Sequence, residues 1–372
     1  MKELSITAES RRFFAAQESH LQKALEDIDR HTVMWPIGRI EDILLDPDAK
    51  VAGSYKLTTL ALYQLCNTLC PGLYGLAREL SGINRTVEQA RSDYSFDDSL
   101  DFINRLIRRR FKTRLAGKIL LRNTNTGVID GVLNAQYRWL SNLSLYDMVA
   151  QAMEQLSPKP TFWEANLSGR WLLLRFCVKK PYFEMDIVDH KERFYLGYSY
   201  SNDELGRAAV RGGPFILRKD GHTASLAPVS PQDRVRHQGS NFNNRLQFLL
   251  NECPRKIEKS EVYLSNMLRL TQNYLALSSA LPGARDKERD KLARKLTREQ
   301  FPLTIAKKVV ASLCAQASAV STAAGPAIHR NSARTSFDLY NALGREAKTL
   351  PIRYRECAEQ LAYSVLINKI SL

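Results

Sequence analysis

The spacing of apolar residues divides the chain into three zones, and the first, residues 1–95, has a helical pattern. Segment Leu57–Leu80 carries apolar residues at helical spacing. A Pro-Gly pair at 71–72 interrupts it, so the pattern predicts two short helices joined by a turn. Thr58 and Thr59 are suitable N-caps for the first of them. We therefore expect a helical N-terminal region.

The second zone, residues 96–240, mixes both periodicities. A helix is predicted from Asp97 or Asp98 to about Leu115, because acids at its start and arginines at its end suit the helix dipole. Another is predicted over Ser144–Gln155, with Ser144 as its cap. Short strand-like runs separated by turn residues make up the rest: Lys118–Arg122, Gly127–Val132, Trp171–Lys179, Arg193–Ser199, Ala208–Val210 and Phe215–Arg218.

The third zone, residues 241–372, returns to helical periodicity, with the long segment Phe242–Ser279 first and an apolar segment Pro302–Ala323 after it. Gly325–Thr335 has the composition of a linker. Together the zones predict an α+β protein: a central, mostly antiparallel sheet with a packed helix, flanked by N- and C-terminal helical regions.

Charge changes this picture more than composition does. The 372 residues include 54 Lys and Arg against 39 Asp and Glu, a net charge of +15, which favours anionic partners. No segment reaches the roughly 18 to 20 apolar residues of a membrane span, and the N-terminus lacks the apolar stretch of a signal peptide. The six cysteines are scattered, which is typical of a reducing compartment. We expect a cytoplasmic protein without membrane partners.

The sharpest local feature is a run of eight cations without an intervening acid, which we call the basic run. Its members are Arg105, Arg108, Arg109, Arg110, Lys112, Arg114, Lys118 and Arg122. On a helix, like charges three and four residues apart repel each other unless an anion relieves them. Phosphate does so well, because guanidinium forks match its oxygens. The alternative is a solvated helix end favoured by the dipole.

Two smaller basic clusters lie near strand-like runs. One consists of Arg207, Arg211, Arg218 and Lys219 around Gly212-Gly213-Pro214, and the other of Arg234 and Arg236 with His237. Glycines let backbone amides approach a phosphate closely, although such a tripeptide also suits an ordinary turn or bulge. We predict that these arginines extend a phosphate-binding groove.

Aromatic residues accompany the cations, namely Tyr137, Trp139, Tyr182, Phe194, Tyr195, Tyr198 and Tyr200. Strand alternation places Phe194, Tyr198 and Tyr200 on one face and Tyr195 on the other. Such a set serves either as a stacking platform for single-stranded nucleic acid or as packing in the core.

Catalytic signals are weak. An acidic cluster in the sequence FEMDIVDHKE offers oxygen ligands for a divalent ion, and the alternative is a polar hairpin turn; it contains Glu184, Asp186, Asp189, His190 and Glu192. Cys66 and Cys70 lie four apart on a helix and are expected to be core residues. The sequence has no P-loop, nucleophile elbow or zinc-protease motif. We predict no catalytic residues, no metal and no cofactor.

The stretch GYSYSNDELGRAAVRGGPFILR, Gly197–Arg218, resembles a family of phage and plasmid proteins called domain of unknown function 932. The similar positions are Asn202, Glu204, Gly206, Pro214, Phe215, Arg218, Arg236 and His237. Segment Lys56–Leu80 resembles the helix that precedes the core of that family. The sequence departs from the family at 218–221, where Arg-Lys-Asp-Gly replaces a Cys-Thr-Asn-Gly run. The resemblance implies a mobile-element setting and, by analogy of fold and context, phage single-strand annealing proteins.

These observations predict a DNA-binding protein, with RNA as an alternative, that holds single strands or recombination and replication intermediates in a basic groove as a homo-oligomer. Two alternatives stay open: a metal-dependent nuclease using the acidic cluster, and a scaffold or host-interaction protein that meets an acidic partner.

Overall fold

The structure is a computed structural model. It describes residues 8–51, 54–71, 95–187, 190–218, 223–225 and 234–255, together with short stretches at 274–275, 290, 293–294, 303–311, 334–335, 342–343, 346, 350, 354–355, 358–359 and 361.

The first sheet has five short strands in the order β1-β4-β5-β3-β2. Their bounds are β1 Thr32–Pro36, β2 Lys50–Val51, β3 Tyr55–Leu57, β4 Ile119–Asn123 and β5 Val128–Leu133. All pairs are antiparallel except β3 with β5, because helix α2 (Thr59–Leu69) and the chain beyond it separate these two strands. The buried faces of α2 and of α3 (Ser95–Arg110) share one apolar core with this sheet.

The second sheet is antiparallel and follows the order β10-β9-β8-β7-β6, with β11 beside β9. Its strands are β6 Thr161–Ser168, β7 Trp171–Ile187, β8 His190–Asp203, β9 Val210–Arg218, β10 Thr223–Ser225 and β11 Arg234–Val235. Its core includes residues of helices α1 Ala8–Arg30, α4 Asn142–Glu154 and α5 Phe242–Arg255 and of the helical stretch 303–311. Apolar residues alternate along β7 and β8, so one set of side chains faces these helices.

The α+β class predicted from the sequence is confirmed, but the expectation of a wholly helical first zone is wrong. Strands β1, β2 and β3 lie before residue 95 and pair into the sheet that β4 and β5 continue. They run for only two to five residues. Segments that short give hardly any period-2 signal, and their pairing partners lie far along the chain.

The predicted helices are largely confirmed, with shifted ends. Helix α2 begins after Thr58, whose hydroxyl accepts a hydrogen bond from the Ala61 amide. Helix α3 ends earlier than predicted, at Arg110, where a π-helical turn takes over. The cap of α4 is Ser141 rather than Ser144, since the Ser141 hydroxyl accepts from the Ser144 amide at 3.1 Å. The second half of the predicted Leu57–Leu80 pair lies outside the described residues.

The C-terminal zone is described in part. Helix α5 begins at Phe242 as predicted, and residues 303–311 are helical. A short strand β12 (Tyr274–Leu275) pairs with β13 (Arg334–Thr335). The helical pattern predicted through Ser279 and the linker predicted through Thr335 are therefore wrong at these four residues. Within the described part of the chain, no helix is long and apolar enough to cross a membrane.

Candidate nucleic-acid interface

The end of α3 presents the first part of the basic run. Ile103 and Ile107 on one face of the helix are fully buried in the first core, which leaves Arg105, Arg108 and Arg109 exposed on the other face. Arg105 lies 3.9 Å from Asp101, and both side chains are largely exposed, so this ion pair is weak.

The π-helical turn that follows, Phe111–Leu115, buries Leu115 and exposes Lys112 and Arg114. Arg110 has a different role, because its guanidinium donates to the carbonyl of Leu69 at the end of α2. Five members of the run are therefore exposed, and we call them the exposed basic run: Arg105, Arg108, Arg109, Lys112 and Arg114. In the portion of the chain that the structure describes, only Arg105 among these five forms an ion pair.

Arg122 does not belong to a phosphate-binding surface, contrary to the prediction. Its side chain is only 8% exposed on β4, and its guanidinium lies against the Trp35 ring and 4.5 Å from the centre of the Tyr55 ring. Burial lowers the pKa of this guanidinium, although Tyr55 and Asp42 oppose the shift. Arg122 therefore packs the face of the first sheet through cation–π contacts.

Lys118 connects the basic run to a cleft between the two sheets. It is half-buried just before β4, and its ammonium donates to the side-chain oxygen of Asn134. Burial lowers the pKa of Lys118, and the positive charge of Arg114 lowers it further. Arg114, the last member of the five exposed cations, precedes Lys118 by four residues, so the basic run leads along the chain to this cleft.

The cleft encloses about 550 Å³ and is lined by four segments of the chain. The first is part of α2 (Gln64, Asn67 and Thr68), and the second consists of residues in and beside strands β4 and β5 (Lys118, Val132–Asn134 and Tyr137). The other two are the loop Leu205–Ala209 and the segment Arg236–Gln238. The lining contains three cations, four side-chain amides and no acid. Lys118, Arg207 and Arg236, which belong to three separate basic clusters of the sequence, thus meet at one site.

Gln64 ties three of these segments together. Its side-chain oxygen accepts from the Val132 amide at 2.8 Å, and its side-chain nitrogen donates to the Leu205 carbonyl at 3.0 Å. Gly131 permits this close approach, because a Cβ there would lie 3.1 Å from the Gln64 oxygen and 2.9 Å from Leu205. The polar side chain at position 64, among the apolar residues of α2, is the sequence signal that could have revealed this role.

Arg207 is largely neutralised by its own chain. Its Nε and Nη2 atoms each donate at 2.8 Å to the fully buried carboxylate of Asp203, which also accepts from the Arg207 amide. This bidentate pair fixes the loop between β8 and β9. Arg207 therefore contributes to the shape of the cleft more than to its positive charge.

Arg236 is exposed on a segment held in place by the chain at 137–138. The Arg138 amide donates to the His237 carbonyl at 2.8 Å, and Tyr137 forms a β-bridge with Gln238. The His237 ring, 3% exposed, stacks between Tyr137 and Phe242 with centroid distances of 4.9 and 5.6 Å. The cation at 236 is thus positioned by a rigid neighbour.

His237 itself is a structural residue in a neutral form. Its Nδ1 lies 3.0 Å from the Arg138 carbonyl, which can only accept, so this nitrogen carries the proton. Burial lowers the pKa of His237, and it outweighs the opposing effects of the Arg138 carbonyl and the Asp203 carboxylate. The ring therefore contributes packing and no positive charge near pH 7.

The Gly212-Gly213-Pro214 tripeptide forms neither a turn nor a phosphate nest. It lies within β9, paired with Tyr198–Tyr200 of β8. A Cβ on Gly212 would stand 2.9 Å from the Tyr200 ring, so the glycine is required by aromatic packing. Of the arginines in these clusters, Arg211 is half-buried, Arg234 is exposed on β11, and Arg218 ends β9 with a side chain outside the described residues.

The aromatic residues of the second sheet belong to its core rather than to a stacking platform. Phe194, Tyr195, Tyr198 and Tyr200 are all buried. The predicted alternation is confirmed, since Tyr195 packs with Phe215 on the face opposite the other three. Tyr137, Trp139 and Tyr182 are half-buried, and the Tyr137 hydroxyl donates to the Glu204 carbonyl at 3.0 Å.

The acidic cluster extends over the end of the long β7–β8 hairpin. Glu184 pairs with Arg193 at 2.8 Å across the strands, and Asp189 lies outside the described residues. Among the residues with described positions, no group of three potential metal ligands comes together. Cys66 is buried in the first core, and burial raises the pKa of its thiol to about 11, which makes it a poor ligand at neutral pH.

Two residues that carry the family resemblance, Asn202 and Glu204, belong to a joint between the two sheets. Arg170, in the β6–β7 turn, donates at 2.9 Å to Asp130 of β5, at 2.6 Å to Thr32 of β1 and at 3.1 Å to Glu204. The Glu204 carboxylate also accepts from the Asn142 amide at 2.6 Å, and the Asn202 amide donates to the Asn142 side chain at 2.9 Å.

Gly206 completes this region with a φ of +71°, and a Cβ there would stand 2.7 Å from the Tyr137 ring. Burial raises the pKa of Glu204 despite the Asn142 amide and the Arg170 charge. We refer to Arg170, Asp130, Glu204, Asn142 and Asn202 together as the joint. Its charged groups, Arg170, Asp130 and Glu204, pair with one another, which is typical of a structural role.

Comparison with known proteins yields no family model, no curated protein and no solved structure that matches this chain. The resemblance to the phage and plasmid family therefore depends on the quoted motifs alone and stays a prediction.

Proposed function

We propose that this protein binds nucleic acid, with single-stranded DNA as the expected form, through the exposed basic run and the adjoining cleft. The observation that carries the proposal is the arrangement of the cations. Five exposed cations lie in the last turns of α3 and just beyond it, and Lys118, four residues further along the chain, lines a cleft that also holds Arg236 and no acid. Clustered cations of this kind match a phosphate backbone.

The spacing of the exposed basic run argues against a purely structural role. Arg105, Arg108 and Arg109 stand three and four residues apart, and Arg108 is followed by Lys112 at four. Like charges at these spacings destabilise a helix by a few tenths of a kcal/mol per pair. In the described structure only Arg105 has a carboxylate beside it. An external polyanion would relieve this repulsion.

The test is a titration with single- and double-stranded DNA and RNA of one length at two salt concentrations. Wild-type protein is compared with a triple variant, Arg108→Gln, Arg109→Gln and Lys112→Gln. We expect the variant to bind every sequence more weakly and its salt slope to fall by about 0.7 per lost phosphate contact for single strands.

The matched control removes three other exposed cations, with Lys23→Gln, Lys159→Gln and Lys307→Gln. Lys23 lies on α1, and the other two pair with Glu154 and Asp290. The control has the same net charge as the triple variant and should keep the wild-type salt slope. Equal losses of affinity in the triple variant and the control would show that only the overall charge matters. If the wild-type protein bound no oligonucleotide in dilute buffer, the proposal would be wrong.

The mobile-element setting and the homo-oligomeric state are part of the same proposal, supported by the motif resemblance at Asn202–Gly206. Mass measurement of the intact protein with and without oligonucleotide tests both binding and subunit number. A stable complex with an acidic protein, together with no oligonucleotide binding, would favour the scaffold alternative instead.

A further inference from the structure

We propose that the cleft between the two sheets is a separate site for a phosphate monoester, the group carried by a nucleotide or by the end of a DNA strand. This inference deepens the proposed function and rests on it for the source of the ligand. It differs from backbone binding because it assigns one terminal phosphate to this small, partly open cleft, whereas the exposed basic run meets the internal phosphates.

The size and walls of the cleft favour a small ligand. Its volume of about 550 Å³ lies within the range typical of small-molecule sites. Four segments from both sheets surround it.

The chemistry of the lining favours a dianion. Lys118 and Arg236 supply charge, and the amides of Asn67, Asn134 and Gln238 can add donors around it. The lining contains no carboxylate; Arg207 is already paired with Asp203, and Lys118 donates to the neutral side-chain oxygen of Asn134. A monoester offers three terminal oxygens and nearly two charges, more than a diester can offer.

The walls are fixed before any ligand arrives. Gln64 links α2 to β5 and to the loop at 205, Asp203 holds Arg207, and the neighbouring His237 anchors the segment that bears Arg236. The backbone that carries the cations is therefore fixed in advance, which lowers the entropy lost on binding.

The experiment compares the binding of thymidine monophosphate with that of thymidine, and of a 5′-phosphorylated oligothymidylate with its 5′-hydroxyl counterpart. We expect the phosphorylated member of each pair to bind about tenfold more tightly, as one or two charge-assisted hydrogen bonds provide. If thymidine monophosphate binds more tightly than thymidine, the ligand is the phosphate monoester itself. If only the phosphorylated oligonucleotide is preferred, the ligand is the end of a strand.

The variants are Arg236→Gln and Lys118→Gln, each checked by circular dichroism and thermal unfolding. Both should abolish the preference for the phosphorylated ligand. The Arg108→Gln, Arg109→Gln and Lys112→Gln variant should retain it while binding long strands weakly. Equal affinity of wild-type protein for both members of each pair, or an unchanged preference in both folded single variants, would overturn this inference.

The two proposals fail separately. A lost phosphate preference with an intact salt slope for long strands would leave the proposed function standing. Binding of thymidine monophosphate without any oligonucleotide binding would leave the cleft assignment standing and remove the proposed function.

Discussion

The joint and the exposed basic run both depend on arginine, and they use it in opposite ways. Arg170 is 6% exposed and surrounded by Asp130, Glu204 and Thr32. Arg108 and Arg109 are exposed, and no carboxylate among the described residues pairs with them. The comparison teaches that the number of cations alone does not identify a binding surface, because some of them are already paired with carboxylates inside the fold.

A second buried cluster in the second sheet makes the same point. Arg175 is fully buried and donates to Glu359, while Arg355 forms a bidentate pair with Glu164 at 2.6 and 2.7 Å. Burial raises the pKa of Glu164, but the hydrogen bonds and charges of Arg355 and Arg175 outweigh it and lower the pKa overall. These arginines tie residues near the C-terminus to β6 and β7.

The largest effect is expected from breaking the joint. Arg170→Met leaves the buried carboxylate of Glu204 without its cation, so we expect the free energy of unfolding to fall by about 3–5 kcal/mol. Denaturant unfolding monitored by circular dichroism measures it. The control Arg105→Met removes an exposed arginine of the basic run and should change stability by less than about 0.5 kcal/mol. Equal effects would erase the distinction between the two regions.

A backbone change beside the joint should have the next largest effect. Gly206→Ala forces a positive φ on alanine and presses its Cβ against the Tyr137 ring, which should cost about 1–3 kcal/mol. A Cβ at position 213 would meet nothing within 4 Å, and the backbone there has no positive φ. The matched variant Gly213→Ala should therefore show little change in the same unfolding measurement. Similar losses in both variants would contradict the packing described around Tyr137.

The pH dependence of stability tests the buried His237. Its folded pKa lies below the ordinary value of 6.5, so the unfolded chain takes up the proton first and stability falls as the pH drops below about 6.5. This loss continues until the pH reaches the folded pKa. Between about pH 7.5 and 5.5 the contribution is at most about 1.4 kcal/mol. The free energy of unfolding of His237→Gln should not show this loss as the pH falls through the same range. Identical pH dependence of the unfolding free energy in the wild type and the variant would contradict the assignment.

The smallest effect is expected from the exposed basic run. Arg108→Gln, Arg109→Gln and Lys112→Gln together should change the free energy of unfolding by less than about 0.5 kcal/mol, with a slight gain from relief of repulsion. Thermal unfolding at low salt, where the repulsion is strongest, is the measurement. A large loss of stability would mean that these side chains support the fold.

The sequence predicted features that depend on neighbouring residues and missed those that depend on distant ones. Helix α3 was indicated by its acids and arginines, and the Thr58 cap by its position. Strand β1 gave no usable signal because its pairing with β4 joins residues about ninety positions apart. The burial of Arg122 follows from the Trp35 ring on that same strand, so no local pattern could reveal it.

The candidate site divides along the same line. The exposed basic run was visible as consecutive cations, whereas the cleft exists only because the two sheets bring Lys118 and Arg236 together. The predicted role of Gly212 failed because its partner, the Tyr200 ring, lies on another strand. Asn202 and Glu204, which belong to the motif that carries the family resemblance, make contacts that support the fold.

The most direct test of the account is the salt dependence of single-strand binding by the wild-type protein beside the two charge-matched triple variants. We expect affinity to fall steeply with salt for the wild type and for the control, and less steeply for the variant that lacks the cations at 108, 109 and 112. Three identical slopes, or binding that does not respond to salt, would contradict the claim that the end of α3 contacts a phosphate backbone.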